Sequence, residues 1–273
     1  MRNVQMFCLT LDPNHYNFIN ELGYIPVGLG EKSFNQGWIT DKTGKNISTK
    51  NKYYSECTFH YWIWKNYLDK LSDGWFGFCQ YRKFWSLQHH KNENINFESI
   101  KTQVLKEIPK EYEGYETILT PTQFVNQWKT SKFIKKGLKI FLKRPNLIFD
   151  KKKRNINFHF DLMHGENQLN KAIDLLDESN KKDFKKFVNN EVSFNPHIMI
   201  ICKSKKKLQK YYEDVFPWLE KCEKVFGFKS LEGYGKTRMY GFLAERFMSY
   251  WFQKNTKHTT MPILFYDIRN DLK

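Results

Sequence analysis

At 273 residues with 40% hydrophobic and 17% aromatic side chains, the chain can bury a sizeable core as one large domain or two small ones, which excludes a disordered tail. Its 45 Lys and Arg against 29 Asp and Glu leave a net charge of +16, which favours a polyanionic partner such as nucleic acid, nucleotide phosphate or an anionic membrane face. Nowhere do about 18 apolar residues follow one another, so no spanning helix is expected, and the first apolar run is too short for a signal peptide.

NVQMFCLTL (3–11) reads as a first buried strand and YIPVGLG (24–30) as a short second one closed by glycines. DKTGKNISTKNK (41–52) has turn formers and no periodicity, so it is expected to be a loop. A helix is expected from Ser55, as N-cap, to Leu71, with a stripe of Cys57, Tyr61, Trp64, Leu68 and Leu71. FGFCQYRKFW (76–85) follows as a buried strand that ends abruptly in Gln80, Tyr81, Arg82 and Lys83. Loop, helix and strand make one α/β unit, and in stacked units of this kind ligands sit beyond the carboxyl ends of the strands. Two adjacent cations at such a tip are therefore candidates for a negative ligand.

TILTPTQF (117–124) reads as another strand, stopped by Pro121. From Lys129 to Arg154 there are eleven Lys or Arg against the single acid Asp150, and Ile134, Leu138, Phe141 and Leu142 share a helical face. That is the pattern of a basic amphipathic helix on an anionic membrane. A solvated helix packed on the body fits the pattern equally, and nucleic-acid contact is a third reading. An insertion over 125–158 in an otherwise single domain follows from this composition.

Helix 166–176, strand HIMIIC (197–202), a long helix with stripe Leu208, Tyr212, Val215, Leu219 and Cys222 through Pro217, and helix 235–252 complete the expected elements. In the last, Met239, Leu243, Phe247, Tyr250 and Trp251 form the apolar face. Arg246 falls at its edge and must be paired, with an ion pair stitching the helix to the sheet as the plain reading. Arg238, Gly241, Glu245 and Ser249 cluster on the other side, where the glycine permits close approach of a ligand or backbone. Of the histidines, His164 and His197, with the carboxylate Glu166, precede or open regular elements and are placed to line a cleft; His15, His159 and His258 suggest no role. The five cysteines form no CxxC pair and read as reduced thiols of a cytosolic protein. No dinucleotide, P-loop, zincin or nucleophile-elbow motif occurs, and no DxD; Glu111-Tyr112-Glu113 has that spacing in a solvated loop.

NISTKNKYYSECTFHYWIWKN (46–66), then GFCQYRKF (77–84), then YGKTRMYGFLAERFMSYW (234–251) resemble the blocks of a family of capsular and exopolysaccharide biosynthesis glycosyltransferases, long catalogued as a domain of unknown function. The family's usual His stands here as Gln80 and its second Arg as Lys83. The resemblance implies a GT-A-like, Rossmann-type mixed α/β sheet flanked by helices that passes a sugar from a nucleotide-sugar, expected to be a UDP-sugar, to a glycan or lipid-linked acceptor. Gln80-Tyr81-Arg82 occupies the place where many such enzymes carry Asp-x-Asp. No metal cofactor is therefore expected, Arg82 assisted by Lys83 standing in for it, with Mn or Mg as the alternative. The same reading gives Asn46, Ser48, Lys50, Asn51, Glu56, Arg238 and Arg246 to the nucleotide-sugar and Asn195 and His197 to the acceptor. Glu245, Glu166 and His164, in that order, are the candidates for catalytic base. A cytoplasmic place, at the inner face of the membrane if the acceptor is lipid-linked, is expected. Rival readings are a nucleic-acid-binding protein and a catalytically inactive sugar-binding relative; against the first, many of the 47 aromatics lie on buried stripes.

Overall fold

Residues 6–9 are apolar and buried at every position, which suits a strand covered on both faces, and the strand they belong to lies centrally in the sheet. The computed structural model describes residues 2–71, 74–88, 95–127 and 150–271. Its strands are β1 (Arg2–Thr10), β2 (Ile25–Gly28), β3 (Ile39–Thr40), β4 (Trp75–Gln80), β5 (Lys83–Trp85), β6 (Glu107–Ile108), β7 (Thr117–Leu119), β8 (Gln123–Phe124), β9 (Ser193–Phe194), β10 (Ile200–Cys202), β11 (His258–Thr260) and β12 (Ile263–Phe265). Ten of them form one mixed sheet with the central order β11-β7-β10-β4-β1-β2-β3, and β8 pairs with β9 apart from it. The expected mixed sheet flanked by helices is what the chain builds.

Side chains alternate across this sheet. Phe7, Leu9, Phe76 and Phe78 enter the core beneath the helices Cys57–Trp62, Lys205–Phe226 and Met239–Asn255; Met6, Cys8, Trp75 and Cys79 enter a second core on the other face. All five cysteines are free and buried. Among the described residues no helix is long and apolar enough to cross a membrane.

Orientation positions the site. β1, β2 and β4 run parallel, so Thr10, Gly28 and Gln80 end at one edge. β10 runs antiparallel to β4, with Ile201 opposite Gly77, so its leading residues His197 and Ile198 arrive at that same edge beside Gln80.

Four elements differ from expectation, the first being the strand expected over 197–202, which begins only at Ile200 because His197 and Ile198 form a turn at positive φ. The helix over 55–71 is broken: Asn51–Tyr54 comes first, Ser55 takes φ 55° and ψ −137°, and Cys57–Trp62 passes into a π-helical turn over Ile63–Tyr67. The hydroxyl of Ser55 binds the Glu56 carboxylate and so does not cap the helix. The strand over 117–124 is split at Thr120-Pro121, because the proline cannot donate to the ladder. The segment over 125–158 ends in a helix, Ile156–His164, whose Ile156, Phe158 and Phe160 are buried in the body. Residues 128–149, which carry most of the expected basic amphipathic helix, lie outside the described residues; Lys151–Lys153 form one exposed turn capped by Asp150.

Candidate functional site

The helix Met239–Asn255 is buried almost all round. Between Met239 and Phe252 only Phe242 and Glu245 escape burial, and at i and i+3 they share one face. That face looks onto the sheet edge where β4 ends. There, Ser55, Glu56, Gln80, Arg82, Lys83, His197, Ile198, Arg238, Gly241, Phe242 and Glu245 enclose a polar recess of about 110 Å³.

The recess is held by a short network. Gln80 donates from Nε2 to the carbonyl of His197 at 2.8 Å and accepts from Lys83 Nζ at 3.3 Å. Lys83 Nζ also lies 3.1 Å from His197 Nδ1. Burial, and then the Lys83 charge, pushes the His197 imidazole down to about 3, so a neutral ring accepts from the lysine. Lys83 is itself lowered, by burial first, with Glu56 opposing and Arg82 adding to the shift. The backbone N–H of His197 donates to Glu245 Oε1 at 2.5 Å, and the other oxygen, Oε2, accepts from Arg246 Nη1 at 2.5 Å. Glu245 thus has fixed donors on both oxygens and still lines the recess.

The backbone here is unusual. Four non-glycine residues among those described have positive φ, and three of them line this recess: Ser55 at 55°, His197 at 84° and Ile198 at 52°. A β-branched residue in that region is strained, and such strain gathers at functional sites. Close packing supports the turn at Ser55: a Cβ on Gly241 would come within 3.3 Å of the Ser55 side chain. The close approach expected at Gly241 is therefore to backbone and side chain of the 54–55 turn.

A second chamber, of about 530 Å³, adjoins the first and shares His197, Phe242 and Glu245 with it. Its other walls include His159, Met163, Phe194, Pro196, Lys236 and Arg246. Arg246 is 2% exposed, with its guanidinium 4.4 Å from the Phe194 ring centroid. It bonds Glu245 and the Phe242 carbonyl from Nη1, and Nη2 lies 3.4 Å from His164 Nε2. Burial lowers its pKa, against the raising effect of Glu245. Its partner is thus its own neighbour in the helix and not the sheet.

The structure brings Glu56, Gln80, Arg82, Lys83, Arg238, His197 and Glu245 together, and separates others from them. Asn46 binds the carbonyls of Lys42 and Gly44 and accepts from Ser48, Lys50 pairs with Glu223 at 2.7 Å, and Asn51 ties Ser55 to Thr58, so these four shape the loop behind the recess. Tyr81 turns away, packed 5.0 Å from the His15 ring. Arg246 and His164 belong to the second chamber, and Glu166 is exposed on the far side of His164. Asn195 is buried, donating to Thr120 and accepting from Ser249 and Gln253. Ile198, Phe242 and His159 were missed by sequence reasoning, and Ser55 was read there only as a helix cap; the positive φ of Ser55 and Ile198 has no mark in residue types that rarely adopt it.

Among the described residues no three His, Cys, Asp or Glu side chains cluster as a metal site would need. No curated protein matches the chain. Residues 9–256 match a family described as a domain of unknown function, DUF4422. The chain belongs to the DUF4422 family. Every residue lining the recess, from Ser55 to Glu245, falls within the DUF4422 match. A solved structure, that of the WbbM bifunctional glycosyltransferase in its apo form, superposes on 97% of this DUF4422 chain with a TM-score of 0.70 and 21% sequence identity. The chain spans 45% of the length of that protein. At this identity the likeness shows a shared fold.

Proposed function

We propose that this protein is a glycosyltransferase that moves a sugar from a nucleotide-sugar, a UDP-sugar by expectation, to a glycan or lipid-linked hydroxyl in surface polysaccharide synthesis. One observation carries the reading: Arg82, Lys83 and Arg238 converge with the carboxylate of Glu245 on a single recess at the carboxyl edge of the sheet. The fold shared with a bifunctional glycosyltransferase and the resemblance of the 46–84 and 234–251 blocks support it.

The chemistry follows from the residues. Arg82 and Arg238 present guanidinium forks to the diphosphate, and Lys83 adds a point charge. These cations stabilise the negative charge that develops on the departing nucleoside diphosphate, the part a divalent ion plays elsewhere. The acceptor hydroxyl oxygen forms its bond to the anomeric carbon as the bond to the diphosphate oxygen breaks, and that oxygen keeps the electron pair. In an inverting course Glu245 takes the hydroxyl proton. The donors from His197 and Arg246 fix where that carboxylate stands.

The test is donor hydrolysis and transfer with a panel of nucleotide-sugars, with EDTA and with added Mn²⁺ or Mg²⁺. Turnover that survives EDTA supports cations in place of a metal; turnover that EDTA abolishes and Mn²⁺ restores sinks that part. No turnover, with a UDP-induced thermal shift, marks a catalytically inactive relative. Steeply salt-dependent binding of any oligonucleotide, without nucleotide binding, supports the nucleic-acid reading instead.

A further inference from the structure

The second chamber is larger than the recess, is walled by aromatic rings, and has one wall in common with it. Two residues on its walls carry a buried polar atom with no hydrogen-bond partner among the described residues: Arg246 at Nε, from the helix Met239–Asn255, and His159 at Nδ1, from the helix Ile156–His164. A buried polar atom left unpaired is destabilising, because it has given up its water without gaining a partner. Two such atoms, on side chains from different helices that line one cavity, are what a site looks like when a seated ligand supplies the missing partners.

We propose that this chamber is the acceptor subsite of the reaction above and takes an uncharged saccharide, one ring of which hydrogen-bonds Arg246 Nε and His159 Nδ1 while an apolar sugar face rests on Phe242. The inference depends on the glycosyltransferase reading for the word acceptor, and on the chamber alone for the saccharide. Three features select this class. The half-buried ring of Phe242 offers an apolar surface that the C–H face of a pyranose covers. Charges on the walls cancel: Glu232 and Glu245 stand against Lys236 and Arg246, so no net charge calls for an ionic ligand. Burial and the neighbouring Arg246 push the His159 imidazole down to about 3, which leaves a neutral ring able to give or take a hydroxyl hydrogen bond. Glu245 lies on the shared wall, so a hydroxyl of a saccharide seated here meets the carboxylate from one side while the donor's diphosphate occupies the other.

The experiment is saturation-transfer NMR on the full chain with methyl glucoside, methyl galactoside, methyl N-acetylglucosaminide and methyl glucuronide as probes, with and without UDP. It is repeated on Gln123→Trp, a change at an exposed rim position that fills the chamber mouth, and on His159→Leu. Expected is saturation of at least one neutral glycoside that UDP does not displace, lost in Gln123→Trp and about tenfold weaker in His159→Leu. The UDP-induced thermal shift should be the same in both variants. Absence of any glycoside signal, displacement by UDP, or unchanged binding in both variants overturns the proposal; preference for the glucuronide overturns the neutral class. Glycoside binding without any nucleotide shift refutes the donor reading and leaves the saccharide chamber standing, so the two failures are distinct.

Discussion

The Glu245 carboxylate accepts the backbone N–H of His197 at 2.5 Å, joining the helix Met239–Asn255 to the strained approach of β10. This bond fixes a carboxylate at the wall between two chambers. Replacing Glu245 with Gln keeps a hydrogen-bonding group of the same shape but removes the proton acceptor. Transfer should fall by about 10²–10⁴-fold, with a far-UV spectrum like that of the parent. Arg246→Met should behave differently, because it leaves the half-buried Glu245 carboxylate without its ionic partner, and should cost about 1.5–3 kcal/mol in urea titrations.

Arg82 is exposed and its side chain packs only on the Tyr81 ring among the described contacts, so Arg82→Ala should leave the melting temperature nearly unchanged. Its turnover should drop by about 10²–10³-fold, the loss expected for one donor to a developing negative charge. Unaltered turnover in steady-state assays would remove this residue from the diphosphate.

Acid should destabilise the protein early. Burial holds His60 down to about 4 and His159 and His197 down to about 3, whereas an unfolded His titrates near 6.5. Between those values the unfolded chain binds protons that the native chain refuses, so stability is lost as pH falls from about 6.5. Asp41 works the other way: burial raises it to about 6, so the native state holds a proton there that the unfolded chain has released. Three histidines against one aspartate leave a net uptake approaching two protons on unfolding near pH 5. Urea midpoints measured from pH 7 to 4 should fall steadily, and less steeply in His60→Gln, where one contribution is gone.

Gly77 sits mid-strand in β4, and a Cβ there would approach Met6 and Ile201 to 2.9 Å. Gly77→Ala should therefore overpack the sheet and cost about 1–3 kcal/mol by chemical denaturation.

What the sequence made legible follows its periodicities. β1 and β4 announce themselves as apolar runs, and the 57–71 stripe buries Cys57, Tyr61, Leu68 and Leu71, although it runs through a π-helical turn that no spacing rule foretells. The tip of β4 pointed to the recess, and Arg82, Lys83 and Glu245 do meet there. The helix Ile156–His164 went unseen for a physical reason: Ile156, Phe158, Phe160, Leu162 and His164 are buried at every second position, the period of a strand. His159, which lines the second chamber, was hidden with it. Asn46, Ser48, Lys50 and Asn51 look like ligand-binding residues in a loop, yet the structure uses their polar groups on the protein itself, a distinction set by folding of the loop and not by residue type.

Sequestration of all five thiols turns the native protein into its own clock. Cys8 and Cys79 lie side by side on β1 and β4, and Cys57, Cys202 and Cys222 are packed on the opposite face. An alkylating reagent has no target on the folded surface, so each labelled cysteine records an opening that reached its layer. The order in which they label would show which side of the sheet lets go first.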